Sequence, residues 1–168
     1  AEADLWENCT SIGGDPDKTY FHHNLVVPYR GHLVLPWSPE FSTGGLSLFD
    51  MSDPCNPVKE GEGWSNAMRE SHALGFLHLP PTDPQAGDYA ITTGARGILV
   101  WDLTDLAAPT ELAYLQLPDI VYPDAYARVV LSVFWQHPTL YVAAADNGVL
   151  IVDTTDLAAP ALVGSYTF

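Results

Sequence analysis

Apolar residues in this chain come in short runs rather than helical stripes. Leu46–Phe49, Ile98–Trp101 and Val149–Val152 each follow a glycine and precede an aspartate. Short apolar runs bounded by turn-forming residues predict strands buried on both faces. No stretch of twelve residues keeps a 3.6 period free of Pro and Gly, so helix is expected to be nearly absent.

The runs belong to a repeat. GLSLFDMSDPCNPV from Gly45, GILVWDLTDLAAPT from Gly97 and GVLIVDTTDLAAPA from Gly148 align without gaps, their starts 52 and 51 residues apart. Each unit opens on its glycine (Gly45, Gly97, Gly148) and places one aspartate after the run (Asp50, Asp102, Asp153). A second aspartate follows (Asp53, Asp105, Asp156), and a proline closes the unit (Pro57, Pro109, Pro160). Asp and Thr side chains bond nearby backbone amides, which makes the segment after each run a turn. Proline at the next strand's start does least harm there, and glycine supplies a positive φ or a tight entry. These twelve residues are therefore expected to be structural.

Reading outward from each unit gives four strands per repeat. They are expected at Phe21–Tyr29, His32–Trp37, Gly45–Met51 and Val58–Trp64, then Ala73–Leu79, Asp88–Thr93, Gly97–Leu103 and Glu111–Leu117. The last four are Arg128–Trp135, Leu140–Ala144, Gly148–Thr154 and Ala161–Phe168. Four strands in about fifty residues, repeated, is the pattern of β-propeller blades. The chain is thus expected to be all-β: three four-stranded antiparallel blades of a propeller. Residues 1–19 form an N-terminal extension, with blades over 20–64, 65–118 and 119–168.

The motif of glycine, apolar run, Asp-x-[Ser/Thr]-Asp and proline, followed by LVGSY at Leu162–Tyr166, resembles the LVIVD repeat of bacterial surface and secreted β-propellers. The resemblance covers residues 20–168; it implies the fold and, for function, extracellular binding or assembly. The first unit departs from it through an insertion around Pro36–Gly44 and a more polar last strand, VKEGEGW. Closed propellers have about four to eight blades, so three make an incomplete ring. A second copy, giving six blades, or further blades from another polypeptide would complete it. The outer faces of the first and third blades are expected to need those partners.

Composition narrows the function classes. Six Lys plus Arg stand against 21 Asp plus Glu, a formal charge of −15. A nucleic-acid binder needs a basic face, so nucleic acid is excluded as a partner, and the same balance argues against docking on an anionic membrane surface. With 47% hydrophobic and 16% charged residues the chain is not an acidic disordered tail. No apolar window is long enough to predict a transmembrane segment. The small, acidic N-terminus suits a mature chain after signal cleavage, and secretion or a cell-surface location is the expectation. In an oxidising compartment Cys9 and Cys55 would form one disulfide; in a reducing one they are two buried thiols.

Candidate chemistry sits mainly at the starts of the opening strands. His22, His23 and His72 occupy near-equivalent positions, with Glu70 and Asp124 beside them in repeat register. Imidazoles and carboxylates from separate blades suit a transition metal (Cu, Zn or Fe) at the channel mouth; the alternative is that they line a wet channel. Asp15, Asp17 and Asp146–Gly148 are the places for Ca, but lack alternating oxygen ligands, and Asp146–Gly148 reads better as a hairpin turn. Ser71-His72 and Ser132 come without a nucleophile elbow. Trp37, Trp64 and Trp135 stand near strand ends, placed either to stack on sugars or to pack between blades.

Three readings of function follow. The first is a structural or protein-interaction module that assembles with further blades. The second is a metal-binding or metalloenzyme propeller, and the third is carbohydrate binding through the loop tryptophans.

Overall fold

The computed structural model describes residues 21–22, 25–39, 44–68, 71–121 and 129–167. They form three antiparallel sheets, one per repeat, and the only helical piece among them is a 3-10 turn at Ala145–Asn147. Sheet 1 holds β1 (Phe21–His22), β2 (Val27–Tyr29), β3 (His32–Pro39), β4 (Gly44–Asp50) and β5 (Val58–Ser65). Sheet 2 holds β6 (Leu74–Leu79), β7 (Gly87–Gly94), β8 (Gly97–Asp102) and β9 (Thr110–Gln116). Sheet 3 holds β10 (Ser132–Gln136), β11 (Thr139–Ala143), β12 (Val149–Asp153) and β13 (Ala161–Tyr166). Each sheet is a meander whose neighbours in sequence are neighbours in space, the layout of a propeller blade. Sheet 1 counts five strands because its opening strand is broken: β1 and β2 both pair with β3, one at each end.

The repeat glycines do one job in all three sheets. A Cβ built on Gly45, Gly97 or Gly148 would lie 2.1 Å from a carbonyl oxygen of the outer strand, that of Gly63, Leu115 or Tyr166 respectively. Close approach of two backbones is therefore the shared reason for glycine. The expected positive φ is found at Gly97 (159°) and Gly148 (79°) but not at Gly45. Farther along each run the outer strand slips by one residue, between Leu48 and Phe49, Val100 and Trp101, and Ile151 and Val152. Such bulges bend and twist the strand that carries them.

The aspartates cap the turns. Asp50, Asp102 and Asp153 each accept the backbone N–H two residues on, from Ser52, Thr104 and Thr155, at 2.8 Å. Asp53, Asp105 and Asp156 do the same for Cys55, Ala107 and Ala158 at 3.0, 3.1 and 3.0 Å. Two successive Asx turns thus satisfy amides that no strand can reach. The Asn56 side-chain amide and the Cys55 N–H hold the Asp53 carboxyl below its ordinary value, and the Thr155 hydroxyl and N–H do so for Asp153.

The core lies between the sheets. Val34, Leu46 and Leu48 of sheet 1 meet Ala90, Leu99, Trp101 and Leu103 of sheet 2, with Met68 between them. Ile91, Ile98 and Val100 on the opposite face of sheet 2 meet Leu140, Val142, Leu150 and Val152 of sheet 3. The Trp101 indole N–H donates to Thr92 at 2.8 Å, so the largest core side chain is buried without an unpaired donor.

Gly97→Ala should force the β8–β9 pair apart and lower stability by ~2 kcal/mol or more, measured by urea unfolding. Asp102→Ala should cost about 1 kcal/mol, while Asp102→Asn, which keeps the acceptor, should be close to neutral.

Candidate functional site

One row of side chains crosses each sheet at the same repeat position. In sheet 1 it runs Val27, Val34, Leu48 and Gly61. In sheet 2 it runs Gly75, Ile91, Val100 and Ala113. In sheet 3 it runs Phe134, Tyr141, Ile151 and Gly164. The central pair of the row is fully buried in sheets 1 and 2, because the next sheet covers it. In sheet 3 nothing comparable among the described residues lies on top: Phe134 is 65% and Tyr141 38% exposed, their ring centroids 6.4 Å apart. Tyr166, opposite Val149, adds an exposed ring on the same face, while Leu162, opposite Val152, lies on the other face of the sheet. An open apolar row of this kind is what interaction surfaces look like.

The outward face of sheet 1 behaves differently. Leu35, Trp37, Ser47 and Phe49 alternate with the residues that meet sheet 2, and all four are buried, Phe49 to 1%. The two outer faces, expected alike from the repeat, are thus unequal: on sheet 1 the central side chains are buried and Trp64 at the edge is 49% exposed, whereas on sheet 3 the central row itself is open.

Two side-chain devices join the sheets. Tyr29 stacks on Phe76 at 4.3 Å, and its hydroxyl donates to Asp88 at 2.6 Å and approaches the Leu77 carbonyl at 3.3 Å. The same Asp88 oxygen faces His78 Nδ1 at 3.0 Å and Arg30 Nε at 3.5 Å. Arg30 reaches it from a two-residue turn in which Arg30 (φ 50°) and Gly31 (φ 88°) are both left-handed, the backbone of a type I′ hairpin. Burial, the hydrogen bond to Asp88 and the Asp88 charge raise the Tyr29 hydroxyl above its ordinary 10.0, with Arg30 pulling the other way. The second device is Gln85, whose amide accepts from Leu157 N–H at 3.0 Å and donates to Thr155 O at 2.7 Å. It clasps the sheet 3 turn onto sheet 2, where Leu157 is buried against Leu79 and Tyr89. Neither device has a periodic signature in sequence, since Tyr29 and Asp88 lie 59 residues apart and Gln85 sits in a loop.

The residues put forward for metal are not brought together by what is described. His22 pairs through its backbone with Ser38, and His72 precedes β6, half-buried; His23, Glu70 and Asp124 lie outside the described residues. Among the described residues no three His, Cys, Asp or Glu side chains converge on a common point. Asp15, Asp17 and Cys9 also lie outside; Cys55 is an exposed free thiol at the tip of its Asx turn. Asp146 and Asn147 form the 3-10 turn between β11 and β12, and the Asn147 side chain donates to Asp119 O at 3.2 Å.

The Ser71 hydroxyl is used up in the fold, donating to Ala73 O at 2.8 Å and accepting from Thr93 N–H at 3.1 Å, while Ser132 is exposed in β10. Trp37 is buried with Trp64 edge-on at 4.5 Å, and Trp135 donates to Thr154 at 3.0 Å; Trp64 is 49% exposed. A shallow depression beside Asp102 and Asp105 is walled by carboxylates already committed to turn amides.

The comparisons bear on the same sheet. Residues 140–168, which span β11 to β13, match the family profile of the LVIVD repeat. No curated protein matches the chain. No helix among the described residues is long and apolar enough to cross a membrane.

Tyr29→Phe removes the bond to a charged acceptor and should cost about 1–2 kcal/mol. A hydroxyl whose value is raised on folding contributes fully below pH 10.0 and loses that contribution as pH rises through the raised value. Tyr29→Phe should therefore flatten the alkaline loss of stability, read from melting temperatures above pH 10.0.

Proposed function

We propose that this chain, which carries an LVIVD repeat at residues 140–168, is a β-propeller module that works by assembly. Its task is to bind further blades, from a second copy or from another polypeptide, and to serve as a structural or protein-interaction scaffold. The open apolar face of sheet 3 carries this reading, because the row it presents is the one that sheets 1 and 2 bury at their seams. Burying apolar area at about 25 cal/mol per Å² is the largest favourable term available to such a face.

The acidic balance supports a location outside the cytoplasm, on a cell surface or in the medium. A charge of −15 keeps a protein with an exposed apolar face in solution until its partner covers it.

The chain alone should self-associate as its concentration rises and should bind a hydrophobic dye, followed by sedimentation velocity and dye fluorescence. Phe134→Asp should weaken both. A chain that stays monomeric from nanomolar to high micromolar concentration and binds no dye would remove the ground for this function.

A further inference from the structure

We propose that the open face of sheet 3 is the seat of one more blade of this same repeat type, entering with its Asx turn over Gly164. The inference rests on the module reading above and adds the surface, the orientation and the chemistry of the partner.

The internal seams show how one blade receives the next. A Cβ on Gly61 of sheet 1 would lie 2.0 Å from Leu106 O and 2.9 Å from Ala107 Cα, both in the Asx turn of sheet 2. One on Gly63 would lie 2.5 Å from Pro109 O at the end of that turn. At this first seam glycine lets the incoming turn lie flat; sheet 2, which receives the sheet 3 turn, has Ala113 at the Gly61 position and Leu115 at the Gly63 position, so the shared feature is a small residue opposite the third run position. Gly164 occupies the position of Gly61, opposite Ile151 as Gly61 is opposite Leu48. Yet a Cβ on Gly164 would meet only its own Ile151, at 3.6 and 3.8 Å. Among the described residues no other backbone requires a small residue there, and in a strand glycine is unfavourable. The small residue and the uncovered row coincide on one face.

The orientation is fixed by the same comparison. In both internal seams the following sheet places its turn on the preceding one: Leu106 and Ala107 over Gly61, Thr155 and Leu157 under Gln85. Sheet 3 therefore receives, and its partner must bring an Asx turn of the Asp-Leu-Ala-Ala-Pro kind together with apolar residues on its third strand. Phe134 is the one large departure in the row, standing where sheet 1 has Val27 and sheet 2 has Gly75.

The test extends the full chain beyond Phe168 with a second copy of residues 65–118, the blade whose turn already lies over a glycine. A parallel version carries Phe134→Val, so that crowding at one aromatic ring cannot imitate failure. Docking should slow amide exchange in β10 to β13 by roughly tenfold or more relative to the unextended chain. Gly164→Val should abolish that protection in the extended chain and leave the unextended chain as stable as before or slightly more so.

An appended blade that leaves the exchange of β10 to β13 unchanged in both versions overturns the seat, as does protection that survives Gly164→Val. Self-association of the unextended chain without docking of the appended blade would leave the assembly reading standing while this seat falls. A chain that neither self-associates nor docks the appended blade removes the two together.

Discussion

A four-stranded sheet that is apolar on both faces must be covered twice, and the rest of this molecule follows from that requirement. Sheet 2 satisfies it within the chain: Leu99 and Trp101 turn toward sheet 1 while Ile98 and Val100 turn toward sheet 3, and all four are fully buried. A sheet of this kind cannot be stable alone, because either face left open costs apolar burial that nothing else replaces. Stacking is the only economical answer, and the small tilt between twisted sheets turns a stack into part of a ring. The burial of Phe49 and the exposure of Phe134 then mark where the centre of a face is covered and where it is open.

The polar residues serve that stack. Glycine at the head of each third strand lets the outer strand close in, the bulge bends it, and paired aspartates stitch the turn that leads to it. The acidity of this chain looks like a reservoir of catalytic carboxylates, but six of its aspartates are engaged with backbone amides at the same points of three turns. Fold does not confer function, and here the repeated motif belongs to the fold. Asp88 is different: it lies outside the motif and gathers a tyrosine, a histidine and an arginine at the first seam. Its work is to hold sheet 2 against sheet 1 where the inner strands meet.

What could be read in the sequence was whatever is local or periodic. The third strand of the second repeat, expected at Gly97–Leu103, is found at Gly97–Asp102, and the turn role of the aspartates holds residue by residue. The broken opening strand of sheet 1 was not legible, because the interruption at Leu25 and Val26 carries no glycine or proline signal. The Tyr29–Asp88 contact and the Gln85 clasp were not legible either, since a contact between distant residues leaves no spacing rule behind. Repeat equivalence also misled in one respect: it predicts like faces on sheets 1 and 3, whereas burial depends on what the rest of the chain supplies. The axial histidines and acids were proposed from repeat register alone, and register does not decide whether side chains converge.

The two open ends of the repeat pattern are not interchangeable, and the reason is the turn. Leu106 is half-buried against the first seam and Leu157 is 1% exposed in the second, so the leucine of Asp-Leu-Ala-Ala-Pro works as a plug into the preceding sheet. Sheet 1 carries Pro54 at that position, exposed. Its outward face buries Phe49 and Trp37 and leaves Trp64 49% exposed. Sheet 1 thus lacks the plug with which the other sheets engage a predecessor. Sheet 3 keeps what sheets 1 and 2 use to engage a successor: the apolar row and a small residue opposite it on the outer strand, Gly61, Ala113 and Gly164 in turn. Growth of the stack has a direction, because in both seams the following sheet lays its turn on the one before. A blade with leucine at the plug position of its own Asx turn is therefore the successor that the open face of sheet 3 would take.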